Sequence, residues 1–141
     1  MSCRIALLAA QVCEKLERPD DALLHLQKAM RVDEKDIRTD MRPTTHAEGH
    51  SLRGRVLAAR GKPAEAEAAF EEAVAMAHKH GLRLLEMLAL RDLKRCVLDK
   101  DGRGAEGIPR LKAVLQDMKG PPTELTKLLG EGLDAEEILR S

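Results

Sequence analysis

The 141-residue chain holds a single phenylalanine and neither tryptophan nor tyrosine. Without aromatic side chains there is no platform on which successive bases stack, which excludes that route to single-stranded nucleic acid. Any core has to come from Leu, Ala, Val, Ile and Met, a palette that suits close-packed helices better than sheets. An excess of one charge is missing too, because Lys+Arg and Asp+Glu both number 24. That balance argues against a dedicated binder of nucleic acid or of an anionic membrane. No apolar run approaches the ~20 residues of a membrane span. IALLAA near the start is short and lacks a leader's cleavage pattern. The three cysteines, Cys3, Cys13 and Cys96, form no CxxC pair, and an odd number cannot all pair within one chain. They read as small hydrophobes in a reducing compartment, the cytoplasm. With no GxSxG and no phosphate-binding glycine loop, neither catalysis nor a cofactor is expected.

What is present is concentrated at residues 47–80. Small residues at Gly54, Ala66 and Ala73 let two antiparallel helices approach closely, and Leu57 and Phe70 fill the space between them. Gly61 suits the left-handed residue that ends the first helix, and Pro63 opens the second, where its missing N–H costs nothing. Thr45 and Glu48 have the spacing of a capping box ahead of the first helix. With Gly54, Leu57, Gly61, Ala66, Phe70 and Ala73 in these places, the segment resembles a tetratricopeptide repeat, a helix–turn–helix unit of about 34 residues. It departs from the family at His50 and His78, where a large aromatic residue and a proline are usual.

The same pattern extends to both sides. Residues 2–16 read as a helix with Ile5, Leu8, Ala9, Val12 and Leu16 near one face. Ala22, Leu26 and Ala29 then occupy the slots of Ala66, Phe70 and Ala73, so a second helix runs from Pro19 to about Val32. The polar residues 33–44 make this first unit longer than the standard one, as a helix end plus a loop. Beyond Gly81, residues 82–99 form a helix with two apolar stripes, one including Leu82, Leu85, Ala89, Leu93 and Cys96, the other Leu84, Met87, Leu88 and Leu98. A helix apolar on two sides has to touch neighbours on both. A plain turn at residues 99–104 follows, then a degenerate third unit with Gly107, Leu111 and Val114 in the key slots and Pro109 in its first turn. After Gly120-Pro121-Pro122, Thr123 and Asp134 (the latter with Glu137) are placed to cap two short helices.

The expected architecture is therefore all-α, a single domain over residues 1–141. It comprises about three antiparallel helix hairpins at residues 3–36, 45–81 and 82–119, with a C-terminal cap at 122–141. The resemblance implies that they stack as a right-handed superhelix and bind a protein or peptide on the concave surface lined by the first helix of each repeat. Extending the central register places Arg4, Leu7, Gln11, Glu14, Glu48, Ser51, Arg55, Asp92 and Cys96 on that surface, with Arg91 and Arg95 beside them. Arg55, Arg91 and Arg95 form a basic stripe suited to an acidic peptide; the competing reading is a solvated face balanced by Glu14, Glu48 and Asp92. One subclass of the family clamps a carboxylate with two asparagines, and this chain has no asparagine, so it does not resemble that subclass.

Two other readings follow from particular residues. Ile5, Leu7, Leu8 and Val12 arrive with no earlier helix to shield them, which suggests a homodimer through the N-terminal helix or a segment of a larger assembly. His46 and His50, one turn apart, and His78 and His80, at the end of the partner helix, would gather at one end of an antiparallel hairpin; such a cluster is the one arrangement here that could hold zinc or nickel. His near a helix C-terminus also complements the dipole with no metal, and none is expected. Glu71-Glu72 and Glu136-Glu137 are adjacent on helices, so their side chains diverge.

Overall fold

The computed structural model describes residues 3–35, 43–118, 120–130 and 132–141, and among these there are helices and no strand. The order is α1 (Cys3–Lys15), α2 (Pro19–Lys35), α3 (Pro43–Ala59), α4 (Pro63–Lys79) and α5 (Arg83–Leu93), which runs on into a π-helical turn (Lys94–Leu98). A short 3₁₀ turn (Gly104–Glu106), α6 (Gly107–Asp117), α7 (Pro122–Leu129) and α8 (Ala135–Arg140) complete it. Helix α1 packs on α2, α3 on α4 and α5 on α6, while α1 also touches α3 and α3 touches α5. Helices α7 and α8 pack on each other and lie against α5 and α6.

The turns show why these helices stop where they do. At Glu17, Gly61, Gly81 and Gly102 the backbone turns left-handed, with φ of 58°, 77°, 69° and 75°. At each, the next residue's N–H reaches back to close the helix: Arg18 to Cys13 O (2.8 Å), Lys62 to Leu57 O (3.0 Å), Leu82 to Ala77 O (2.8 Å) and Arg103 to Leu98 O (2.7 Å). This is the Schellman closure, which satisfies carbonyls a helix end otherwise leaves open. Three of the four positions are glycine, and the fourth is Glu17, whose Cβ is disfavoured there. Glu17→Gly is accordingly expected to raise stability by about 0.5–1 kcal/mol, the relief being offset in part by glycine's freer unfolded chain. Urea denaturation checks this; a loss of stability would mean that the Glu17 side chain contributes more than the strain removes.

The core holds the residues selected in the central hairpin, whereas Leu8, Val12 and Leu16 of the first predicted face are exposed. Phe70, Ala66 and Ala73 of α4 are fully enclosed, as are Leu111 and Met87. The larger cluster runs from Leu57 through α4, α5 and α6 to Leu125, Leu129, Ala135 and Ile138 of the last two helices. A smaller one joins the first helix pair to the second through Ala10, Ala22, Leu26, Leu52 and Val56. Gly54 is buried against Phe70: a Cβ built there would lie 2.8 Å from three atoms of the ring. The central helices approach closely because this position has no side chain.

Several local expectations change. Helix α3 starts at Pro43, so Thr45 sits inside its first turn rather than capping it; Pro at the first position fixes the entry. Likewise α7 opens on Pro122 after Pro121, and Thr123 makes no cap. Asp134 does cap α8, accepting from the N–H groups of Glu136 and Glu137. Helix α2 runs to Lys35, and the loop expected after it falls at residues 36–42, outside the described residues. Leu90 on α5 and Val97 on the π-helical turn point inward, although neither predicted stripe contained them, while Leu84 is exposed. The π-helical turn, closed by Asp99 N–H on Lys94 O (2.7 Å), inserts a residue and shifts the register beyond Leu93.

Candidate functional site

The series α1–α3–α5 brings most of the predicted surface residues together. A cavity of about 120 Å³ is lined by Gln11 from α1, by Ala47, Glu48, Ser51 and Arg55 from α3, and by Leu85, Leu88, Arg91 and Asp92 from α5. A neighbouring cavity of about 330 Å³, lined by Glu14, Glu17, Pro19, Arg55, Val56 and Ala59, meets it at Arg55. Arg4 lies on α1, but its side chain, like that of Leu7, is outside the described residues.

Arg55 is the centre of a four-residue charge network. Its Nε and Nη2 donate to Glu14 Oε2 and Oε1 at 2.8 and 3.2 Å, a two-point contact across the α1–α3 junction. Its Nη1 donates to Asp92 Oδ2 at 3.4 Å, across the α3–α5 junction. The other Asp92 oxygen accepts from Arg91 Nε and Nη2, at 3.1 and 3.0 Å. Burial disfavours the Arg55 cation, but Glu14 and then Asp92 more than offset this and hold its pKa above the ordinary guanidinium value. Asp92 itself is buried, 7% exposed. A buried carboxylate needs such partners, so this network also fastens three helices.

The arginines predicted as a basic stripe therefore differ in their surroundings. Arg55 and Arg91 are engaged by carboxylates, while Arg91 Nη1 and Arg95 Nη2 donate to the Leu128 and Leu129 carbonyls at 3.4 and 3.2 Å. Those carbonyls close α7, where a cation is favoured by the helix dipole. The two arginines stand one turn apart and grip the same helix end. Sequence spacing showed the pair but not its acceptor, which comes from far along the chain. Cys96 lies half-buried beside this region, and burial, reinforced by Asp92, raises its thiol pKa, which makes it a poor nucleophile.

The four histidines do not assemble into one site. His46 and His50 stack with ring centroids 5.0 Å apart. His50 Nδ1 stands 3.1 Å from Glu72 Oε2 without completing a hydrogen bond, and burial, opposed in part by Glu72, lowers its pKa. His78 Nδ1 instead meets Glu86 on α5 at 3.2 Å, where Arg83 also pairs with Glu86 at 2.9 Å. No group of three or more His, Cys, Asp or Glu placed to hold a metal occurs among the described residues. The expected gathering fails because α4 directs His78 to α5, while His50 on α3 faces Glu72 of α4. Glu71 and Glu72 do diverge, Glu71 pairing with Arg110 at 2.8 Å.

A roomier cavity of about 390 Å³ lies between α2 and α3, lined by Leu23, Leu24, Leu26, Leu57, Gly49, Gln27, Asp20 and Arg53. It shares no lining residue with the Arg55 face. None of the described helices is long and apolar enough to cross a membrane. Residues 47–80 match the family model of the tetratricopeptide repeat, the segment that carries the Gly54–Phe70 contact and Arg55. No curated protein and no solved structure matches the chain.

Proposed function

Because residues 47–80 are a tetratricopeptide repeat, we propose that the protein is a binding scaffold that receives a protein or peptide segment on the face shared by α1, α3 and α5. The cavity built from Gln11, Ser51, Arg55, Leu88 and Asp92, with residues from all three helices, carries this reading. Repeat helices offer an extended surface with few moving parts, which suits recognition better than bond chemistry. In this reading the helix pairs form three stacked hairpins with a right-handed superhelical turn, the scaffold has no catalytic role, and it works in the cytoplasm.

The chemistry of the face limits what fits. Its arginines already have carboxylate or carbonyl partners, so a ligand gains most from Leu85, Leu88 and the open polar edge at Gln11, Glu48 and Ser51. A segment with an apolar side chain for the Leu85–Leu88 wall, and acceptors or an acidic group to share with Arg55 and Arg91, satisfies both parts. The test is affinity capture with mass spectrometry, comparing the native chain with Ser51→Tyr, which fills the cavity and leaves the residues of the charge network themselves unsubstituted. The variant is expected to lose the captured partner at an unchanged melting temperature. Equal capture by both would reject this face as the binding site.

A further inference from the structure

We propose that the cavity between α2 and α3 binds a small aliphatic carboxylate, with its hydrocarbon chain along the leucines and its carboxylate on Arg53. At about 390 Å³ the space lies within the range of ~300–1,000 Å³ found for small-molecule sites. Leu26 and Leu57, 2 and 4% exposed, supply its buried lining. Leu23 is half-buried, and Leu24 stands at the exposed rim. Gly49 of α3 is buried in the same lining and puts no side chain into the space. The lining holds no aromatic ring, so a flat ligand has nothing to stack on, while a flexible hydrocarbon meets leucines from both helices.

Charge selects the head group. The lining carries one acid and one base, Asp20 and Arg53. Asp20 is already matched by Arg60, at 2.6 Å, from outside the lining. Arg53 is exposed and pairs with no carboxylate among the described residues. Its field reaches His50 instead: burial chiefly lowers that imidazole's pKa, and the Arg53 cation adds to the effect. A carboxylate entering the cavity therefore meets a guanidinium that no internal acid occupies, and a two-point contact is open to it. The length of the space argues against a peptide. From Asp20 to Gln27 α2 rises about 10 Å, which spans about three extended residues or one aliphatic chain of about eight carbons. No residue of this lining belongs to the Arg55 cavity, so this site and the scaffold face can fail independently.

An NMR titration of the full chain with octanoate, followed at the leucine methyl groups, tests the proposal. In the native protein the signals of Leu26 and Leu57 are expected to move saturably. Arg53→Gln removes the cation, and Gln27→Glu places an acid in the lining; both positions are exposed. Each variant is expected to weaken octanoate binding by about tenfold or more with unchanged helical circular dichroism. Octanamide has the same chain without the charge and stands for an acyl group borne by another molecule; it is expected to bind about tenfold more weakly than octanoate. Ser51→Tyr, in the other cavity, is expected to bind octanoate as the native chain does. Unmoved Leu26 and Leu57 signals overturn the proposal. So does octanoate binding that both charge variants leave intact, that octanamide equals, or that Ser51→Tyr abolishes.

Discussion

Gly54→Ala is expected to destabilise the protein by about 2 kcal/mol, against the direction that helix propensity alone would give. In an exposed helix interior, alanine is favoured over glycine by about 1 kcal/mol. At position 54 the added methyl would stand 2.8 Å from three atoms of the Phe70 ring, inside the range where atoms overlap. Phe70 is fully enclosed, and its α4 neighbours Ala66 and Ala73 are fully enclosed as well, so the ring cannot swing clear. Relief has to come from parting α3 and α4, which loosens the central packing. Phe70→Leu in the Gly54→Ala background shortens the obstructing side chain and is expected to restore part of the loss. Urea denaturation of the two single variants and the double variant measures the coupling. A gain in stability from Gly54→Ala would show that the two helices are not in this close contact.

Arg55→Met is expected to cost about 2 kcal/mol, below the 3–5 kcal/mol typical of breaking a fully buried pair. The discount follows from geometry: the Arg55 side chain is 34% exposed and Glu14 is 26% exposed, so water screens part of what is lost. Asp92 keeps Arg91 but loses its contact across the α3–α5 junction while its carboxylate stays buried. Adding Asp92→Leu to Arg55→Met removes the stranded carboxylate and is expected to recover part of the stability, leaving Glu14 with access to solvent. Thermal melts of both variants at low and high salt separate the cases. A loss below about 0.5 kcal/mol that vanishes in salt would reduce the network to a surface pair. The same geometry argues against Arg55→Glu as a probe of ligand charge. It would place a third carboxylate beside Glu14 and Asp92, and a fall in binding would then report a weakened fold.

The extent to which the sequence was legible follows the range of the forces involved. Small residues at Gly54, Ala66 and Ala73 around Phe70, a glycine after α3 and a proline opening α4 are local requirements of a tight helix pair. They could be read from a few dozen residues and were met. Ala22, Leu26, Leu111 and Val114, read from the same slots, are buried, although Glu17 stands where the turn prefers glycine. Thr45 and Thr123 lie inside their helices rather than at the cap position, because Pro43 and Pro122 already set the helix starts. The extra residue of the π-helical turn moved Val97 inward against a regular helical register, while Leu90 lies inward on α5 before that turn.

Long-range pairing was beyond such reading. The sequence supplied Arg55, Arg91 and Arg95 as cations and Glu14, Glu48 and Asp92 as acids, but their order along the chain does not specify who meets whom. Arg55 takes Glu14 and Asp92, while Arg91 and Arg95 reach carbonyls at the end of α7. The histidines separate for a similar reason, since His50 and His78 are directed to carboxylates on different helices. Helix identity, turn chemistry and core slots were thus contained in the residues themselves, because backbone preference and apolar periodicity act over one or two turns. Which charges neutralise each other had to await the fold, because that outcome depends on how separate helices are set side by side.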